Sequence, residues 1–188
     1  MSRWLIQVVA VVVALIASFV SVSVSVPAQA RELPDKDQWL ADTRAAMVGS
    51  RAYVGNRVER GGGRLAVNLD IDNTSLATYY ARGTAVPVVL RFARYARSKG
   101  VALLFNTGRE RGQLAGVARS LRRAGYDVRE ICGRKPGERL VAGKQRCRRH
   151  FVSEGYTLIA NIGNRDTDFV GGSYERAYRL PNYANQLG

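Results

Sequence analysis

Residues 64–74, Arg-Leu-Ala-Val-Asn-Leu-Asp-Ile-Asp-Asn-Thr, place the strongest constraint on how this chain can fold. The apolar run 65–69 follows three glycines and is typical of a buried parallel strand. Asp70 ends the run and Asp72 lies two residues further on, at the strand end where α/β sheets place their ligand sites. Two carboxylates in that position repel each other unless a cation lies between them. A magnesium ion would fit there, and an Asx-rich turn without any ligand is the alternative.

From residue 64 onward, apolar strands alternate with amphipathic helices. The pattern predicts a helix from Pro87 to a stop at Gly100, a strand over 101–105, a helix over 110–124, a short strand over 127–131, a helix over 144–154 and a strand over 156–162. Such alternation implies a parallel, right-handed sheet with helices on both faces. We therefore expect an α/β, Rossmann-like three-layer domain over 64–188. A helical segment over 31–63 precedes it, with Asp35 capping its first helix.

Residues 1–30 have the layout of a secretory signal peptide. Arg3 precedes an apolar run over 4–20, and a small-residue cleavage site ends at Ala30. Cleavage after Ala30 predicts a protein that is secreted or associated with the cell envelope. An uncleaved membrane anchor is the alternative, because the apolar run is close to the shortest length that spans a bilayer.

The chain is strongly basic, with 29 Lys and Arg residues against 15 Asp and Glu and a net charge of +14. Such a surface attracts anions, among them small phosphate esters, nucleic acid and an anionic cell-envelope surface. The basic residues between 119 and 149 lack the interleaved aromatic residues that stack on single-stranded bases. Nucleic acid is therefore not expected as a partner. The sequence makes no prediction of the oligomeric state.

Cys132 and Cys147 are the two cysteines of the chain. In an oxidising compartment they could pair, and a disulfide at this spacing contributes about 3 kcal/mol on the chain-entropy model. Their spacing, and the lack of further Cys or His ligands, exclude a convincing zinc site. The sequence leaves open whether the two thiols are bonded.

Three predicted strands end in polar residues that parallel geometry brings to one edge of the sheet. Thr107 and Gly108 follow the second strand, where backbone N–H groups at a helix N-terminus can hold an anion. Asn164 and Asp168 follow the strand over 156–162 and are suited to complete a metal site. Lys144 opens the preceding helix and would supply a fixed cation. With the two carboxylates of the first strand, these groups suit phosphoryl transfer, in which positioning and charge stabilisation do most of the catalysis.

Four of these segments, in this order, resemble motifs of the haloacid dehalogenase (HAD) superfamily of phosphatases. They are Asp70-Ile71-Asp72-Asn73-Thr74 for Asp-x-Asp-x-Thr, Phe105–Arg109 for a strand ending in Thr-Gly-Arg, Lys144 with Arg148 for Lys-x-x-x-Arg, and Gly163–Asp168 for Gly-Asp-x-x-x-Asp. With Arg179-Leu180-Pro181-Asn182, they resemble the subfamily IIIB branch, which holds secreted bacterial class B acid phosphatases and plant vegetative-storage-protein-like phosphatases. The resemblance covers residues 64–183.

This resemblance implies a secreted, Mg²⁺-dependent acid phosphatase that hydrolyses small phosphomonoesters. Asp70 would attack the phosphorus and form an aspartyl-phosphate, and Asp72 would act as the general acid and base. The resemblance assigns phosphate binding to Thr107, Gly108 and Lys144, and the metal ion to Asp70, Asp72 through its carbonyl, Asn164 and Asp168.

The main departure from the family pattern is Asn164, which stands where the family has an aspartate that ligates the metal. An amide oxygen can coordinate Mg²⁺ but brings no negative charge, so we expect weaker metal affinity. A catalytically weak or inactive HAD-fold protein that binds phosphorylated or anionic envelope ligands is the alternative function. Asn68, inside the first strand, requires a hydrogen-bond partner. Short stretches between the motifs leave little room for a large cap domain and predict an open site.

Overall fold

Five parallel strands form one sheet in the order β3-β2-β1-β4-β5 in the computed structural model of the protein, which describes residues 32–187. The strands are β1 (Arg64–Leu69), β2 (Ala102–Glu110), β3 (Glu130–Arg134), β4 (Tyr156–Gly163) and β5 (Arg176–Arg179). In the register of the central strands, Leu69 of β1 lies opposite Phe105 of β2 and Ile162 of β4. The signal-peptide prediction for residues 1–30 lies outside the described residues.

Five α-helices accompany the sheet. They are α1 (Lys36–Ala46), α2 (Ser50–Glu59), α3 (Pro87–Ser98), α4 (Leu114–Arg123) and α5 (Leu140–Ser153). Helix α1 begins as predicted, since the Asp35 side chain accepts a hydrogen bond from the Gln38 N–H at 2.8 Å. None of the helices in the described part of the chain has both the length and the apolar character that a bilayer span requires.

The helices lie in two layers because the strands alternate their apolar side chains between the two faces of the sheet. Val67 of β1 packs in a buried cluster with residues of α1 to α4, among them Trp39 and Leu121. Ala66, its neighbour in the strand, packs with Phe151 of α5 on the opposite face. The predicted α/β three-layer core with a helical N-terminal segment is therefore confirmed.

The chain order places a topological switch point beside β1. The chain runs outward from β1 to β3 through α3 and α4, and then returns through α5 to β4 on the other side of β1. Ligands of open α/β sheets bind at such a point, outside the carboxyl ends of the strands. Within the described residues, the segment between β1 and α3 contains only turns and two isolated bridges, which leaves no room for a large cap domain.

Two predicted boundaries near the motifs are wrong. Thr107 and Gly108 lie inside β2 and not at a helix N-terminus, because β2 continues to pair with β3 as far as Glu110. Polar residues and a glycine resemble a turn in sequence, yet here they form an irregularity within the strand, between the pairs Asn106–Cys132 and Glu110–Arg134. Lys144 does not open a helix either, because α5 begins at Leu140 and Lys144 follows in its second turn.

Two strands at the sheet edges also differ from the sequence prediction. Strand β3 was expected over 127–131 and lies over Glu130–Arg134. Strand β5 was not predicted, because three of its four residues are exposed and it carries no apolar run. Edge strands bury little side-chain surface, so the hydrophobic pattern of the sequence indicates their position and ends only weakly.

Candidate active site

A cleft of about 450 Å³ opens at the carboxyl ends of β1 to β4. Its lining includes six charged residues: Asp70, Asp72, Arg109, Arg134, Lys144 and Arg165. The uncharged lining residues are Gly108, Gln113, Leu140 and Asn164. Most of the predicted site residues thus converge on one cleft, although Thr107 and Asp168 are buried and do not line it.

Asp70 is held rigidly at the end of β1. Its N–H donates to the Ile162 carbonyl of β4 at 2.9 Å, and the Ser75 hydroxyl donates to its own carbonyl at 2.6 Å. The residue is only 7% exposed, and its Oδ1 accepts a hydrogen bond from Lys144 Nζ at 2.5 Å. Burial and the neighbouring Asp168 carboxylate raise the pKa of Asp70 to about 6, although Lys144 acts in the opposite direction. The Asp70 carboxylate is therefore fixed in position and faces the cleft.

The Lys144 ammonium lies between two buried carboxylates, those of Asp70 and Asp168. Its Nζ lies 2.7 Å from Asp168 Oδ1 and also donates to the Asn106 carbonyl at 2.7 Å. Burial on its own lowers the pKa of Lys144, but the carboxylates of Asp168 and Asp70 outweigh burial and hold that pKa above its usual value. Lys144 therefore stays charged although it is buried, as expected of a fixed cation in the site.

Asp72 forms a two-point ion pair with Arg109. Arg109 Nη2 and Nε donate to Asp72 Oδ1 and Oδ2 at 2.6 and 2.9 Å, and the Thr78 hydroxyl donates to Oδ1 at 2.7 Å. Burial alone would raise the pKa of Asp72, but the hydrogen bonds from Arg109 and Thr78 outweigh it and hold the pKa below its usual range. Sequence reasoning did not find this pairing, because the reach of an arginine depends on the fold around it.

Gly108, rather than the Thr107 side chain, borders the cleft at the end of β2. The Thr107 hydroxyl is buried and accepts a hydrogen bond from the Arg109 N–H at 3.2 Å. A Cβ atom at Gly108 would lie 2.7 Å from Leu140 Cδ1, so a larger residue there would require the Leu140 side chain to move. The phosphate-binding role of Thr107 stays a prediction.

Asn164 and Asp168 lie on the turn that follows β4. Asp168 Oδ2 accepts a hydrogen bond from the Arg165 N–H at 3.0 Å, which folds the turn back on itself. A Cβ atom at Gly163 would lie 2.6 Å from both Cβ and Cγ of Asp168, so glycine is needed there. Asn164 is 5% exposed, and neither its Oδ1 nor its Nδ2 has a hydrogen-bond partner in the described part of the protein.

The residues present fit a magnesium ion. Residues 32–187 contain no group of three His, Cys, Asp or Glu side chains arranged to hold a metal. The available donors are two carboxylates, Asp70 and Asp168, and the unpartnered amide of Asn164. Mg²⁺ is usually bound by one or two carboxylates together with water and substrate phosphate. An unsatisfied buried amide is costly, and coordination through its oxygen would remove part of that cost.

Two further residues position the Asp168 backbone. Arg148 belongs to the predicted Lys-x-x-x-Arg motif, whereas Asn161 was missed from the sequence. Asn161 of β4 donates to the Asp168 carbonyl at 2.9 Å, and the fully buried Arg148 donates to the same carbonyl at 2.6 Å. Asn68 of β1, which required a partner, donates from Nδ2 to Asn161 Oδ1. The sequence did contain a signal for this contact. Asn68 and Asn161 are amides in apolar strands, and each needs a hydrogen-bond partner inside the sheet.

A disulfide joins Cys132 of β3 to Cys147 of α5. Cys147 lies one helical turn beyond Lys144 on the same helix. The crosslink therefore ties the helix that carries the buried lysine to the edge of the sheet.

The sheet order defines an α/β protein, and the buried aspartate held against a lysine at its carboxyl edge is an arrangement suited to phosphoryl groups. The family model for HAD superfamily, subfamily IIIB (acid phosphatase) matches residues 79–186, which is more than half of the chain. The chain belongs to this family and is by class a phosphoric monoester hydrolase. The matched segment begins after Asp72, so the roles of Asp70 and Asp72 stay predictions supported by geometry.

Solved structures show the same fold. The class C acid phosphatase from Bacillus anthracis matches with a TM-score of 0.64 and 19% identity, over 78% of this chain and 79% of that chain. The same enzyme with tungstate bound matches with a TM-score of 0.63 and 18% identity, over 78% and 79% of the two chains. A comparison with curated proteins gave no match. The plant branch of the resemblance stays a prediction.

Proposed function

We propose that this acid phosphatase is secreted and Mg²⁺-dependent and hydrolyses phosphomonoesters through an aspartyl-phosphate on Asp70. The observation that carries the proposal is the placement of the Asp70 carboxylate. It is buried at the carboxyl end of β1, faces the cleft and accepts a hydrogen bond from a charged lysine at 2.5 Å. A fixed carboxylate beside a fixed cation suits nucleophilic attack on an anionic phosphoryl group.

In the first half-reaction an Asp70 carboxylate oxygen forms a bond to phosphorus, and the bond from phosphorus to the ester oxygen breaks. Asp72 gives its proton to that departing oxygen, which leaves as an alcohol. Asp72 must carry a proton for this step. Because the hydrogen bonds from Arg109 and Thr78 hold the pKa of Asp72 low, the protonated form is scarce in the free protein and increases as the solution becomes more acid. Lys144 offsets the repulsion between the Asp70 carboxylate and the incoming phosphoryl oxygens.

In the second half-reaction Asp72 takes a proton from water, whose oxygen attacks the phosphorus. The bond between Asp70 and phosphorus breaks, which releases inorganic phosphate, restores the Asp70 carboxylate and leaves Asp72 protonated for the next cycle. Asp70, Asp168 and Asn164, with the Asp72 carbonyl that the resemblance assigns, would hold Mg²⁺. The bound ion would neutralise negative charge on the phosphoryl oxygens.

The test is release of p-nitrophenol from p-nitrophenyl phosphate between pH 4 and 8, with Mg²⁺ and with a chelator. Asp70→Asn should abolish turnover, because the variant has no carboxylate to attack phosphorus. Asp166→Asn is the matched control, since its side chain is 90% exposed and pairs with Arg179 outside the cleft lining. An Asp70→Asn protein as active as the Asp166→Asn control would refute the mechanism.

The intermediate itself can be trapped. After acid quenching of the working enzyme, peptide mass spectrometry should find one phosphoryl group on the peptide that contains Asp70. A phosphorylated serine, threonine or histidine in its place would contradict the assignment.

Asn164 supports a second candidate function, a catalytically weak protein that binds phosphorylated or anionic envelope ligands. Its amide supplies no charge, and Lys144 already balances part of the charge on Asp70 and Asp168. Both features lower the expected affinity for Mg²⁺. Turnover no higher than that of Asp70→Asn across the pH range, with inorganic phosphate still bound in calorimetry, would favour this candidate.

A further inference from the structure

The cleft holds more positive charge than its own carboxylates balance. Two of its cations already form ion pairs with the protein: Lys144 with the buried carboxylates of Asp70 and Asp168, and Arg109 with Asp72. Two more cations, Arg134 and Arg165, line the same cleft. They belong to the ends of β3 and β4, on opposite sides of the central strand β1.

Arg165 is the cation with the fewest protein partners. Its guanidinium makes no hydrogen bond and no ion pair within residues 32–187, and only its backbone groups contact the turn that carries Asp168. The residue is half-buried, so its charge is partly removed from water. A partly desolvated guanidinium beside a binding cleft is suited to a carboxylate or phosphate, which it can bind at two points.

Arg134 is fixed by the protein and faces the cleft from the other wall. Its Nε donates to the Gly108 carbonyl and its Nη1 to the Glu138 carbonyl, both at 2.6 Å. The Glu110 carboxylate lies 3.9 Å from its Nη2, too far for a hydrogen bond. Arg134 therefore adds positive potential to the cleft, but two of its three guanidinium nitrogens already donate to protein carbonyls.

The rest of the lining lacks aromatic side chains that would favour leaving groups with rings. Leu140 is the one apolar side chain among the lining residues, and none of them is aromatic. Rings of an aromatic ester or a nucleobase would find no aromatic side chain to stack on, although an arginine guanidinium could face them. A volume of about 450 Å³ nevertheless exceeds the needs of a phosphoryl group alone and suits a small organic molecule.

We infer that the preferred substrates are small polar phosphomonoesters whose leaving group carries a second anionic group, a carboxylate or a second phosphate, bound by Arg165. The inference rests on the proposed function and assigns the substrate class of the same site. Arg165 binds the leaving group and takes no part in bond making or breaking, so it is a specificity residue.

The experiment compares esters that differ only in the second anionic group. Glycerol 3-phosphate and 3-phosphoglycerate share a three-carbon skeleton, and a hydroxymethyl group in the first is a carboxylate in the second. Fructose 6-phosphate and fructose 1,6-bisphosphate test a second phosphate at greater distance. We expect kcat/KM, measured by phosphate release, to be about tenfold higher for the anionic member of at least one pair, since a hydrogen bond to a charged group typically gives that factor.

The variant Arg165→Gln should reduce this ratio of kcat/KM values to about one, and Arg165→Lys should retain part of it because the charge remains. Arg122→Gln is the matched control, because Arg122 is exposed on α4, outside the cleft lining, and loses the same charge. It should leave the ratio unchanged. Because each variant is judged by the ratio of its kcat/KM values for two substrates, a lower fraction of folded protein does not change the result.

The outcomes separate this inference from the proposed function. Equal kcat/KM values within both pairs would overturn the substrate class while the phosphatase activity stands. A ratio that falls in Arg134→Gln but not in Arg165→Gln would overturn the assignment to Arg165. If no ester is hydrolysed, the proposed function fails and the inference fails with it.

Discussion

At the scale of single residues, Asn164 has the clearest consequence for metal binding. The variant Asn164→Asp adds a third carboxylate beside Asp70 and Asp168, and ligand charge is a main determinant of affinity for divalent cations. We expect Mg²⁺ to bind at least about tenfold more tightly, as measured by calorimetry without substrate. The added repulsion should also lower the melting temperature without metal, and Mg²⁺ should raise it by more than in the wild type.

The matched control for this prediction is Asn185→Asp, which makes the same chemical change on the exposed C-terminal loop. It should leave Mg²⁺ affinity unchanged. An Asn164→Asp protein with unchanged or weaker Mg²⁺ binding would mean that the metal lies elsewhere.

Asn68 gives a second prediction at this scale. The variant Asn68→Val removes the donor to Asn161 Oδ1 and leaves a buried acceptor unsatisfied. The free energy of unfolding should fall by about 1–3 kcal/mol in a urea titration. Thr157→Val on β4 is the control, because that hydroxyl makes no hydrogen bond within the described residues.

The chain Asn68–Asn161–Asp168 also predicts coupling between the two amides. Because Asn68→Val already breaks their shared hydrogen bond, the double variant with Asn161→Val should lose less stability than the sum of the single losses. Strict additivity would show that the two amides are independent of each other.

At the scale of elements, helix α5 depends on its crosslink to β3. The disulfide spans a sequence separation of 15 residues. Chain-entropy arguments give about 3 kcal/mol for a loop of that length, so the variant Cys132→Ala/Cys147→Ala should lose about that much unfolding free energy. Dithiothreitol should destabilise the wild type by a similar amount and leave the double variant unaffected. Thiol titration verifies the reduction, and a reduced wild type of unchanged stability would contradict the prediction.

The elements also show how far sequence reasoning reaches. The central strands β1 and β4 were predictable because their apolar runs are buried on both faces and end at glycines or aspartates. Strand β5 was not, because an exposed edge strand needs no apolar pattern. The end of β2 was misplaced because Thr107-Gly108-Arg109 resembles a turn, although pairing with β3 resumes beyond it at Glu110.

Some residues of the candidate site could also be predicted from the sequence, and others could not. Asp70, Asp72, Lys144, Asn164 and Asp168 could be predicted because motif spacing fixes where backbone positions meet at a sheet edge. The ion pair between Arg109 and Asp72 could not be predicted, and neither could the lack of an ion pair at Arg165 within the described residues. A long side chain can reach many partners, and only the packed structure decides which of them it meets.

At the scale of the whole molecule, the net charge of +14 predicts how substrate arrives. A basic protein raises the local concentration of anionic esters and speeds their association, and salt screens this attraction over a Debye length of about 10 Å at 0.1 M. For p-nitrophenyl phosphate, kcat/KM should therefore fall steadily as NaCl rises from about 20 mM to about 500 mM, while kcat should change little, because the buried contact between Lys144 and Asp70 is poorly screened. Choline chloride at equal ionic strength should reproduce the curve, which separates screening from specific binding of sodium. If kcat/KM is independent of ionic strength, or if kcat falls in parallel with it, the basic surface does not act by attracting the substrate.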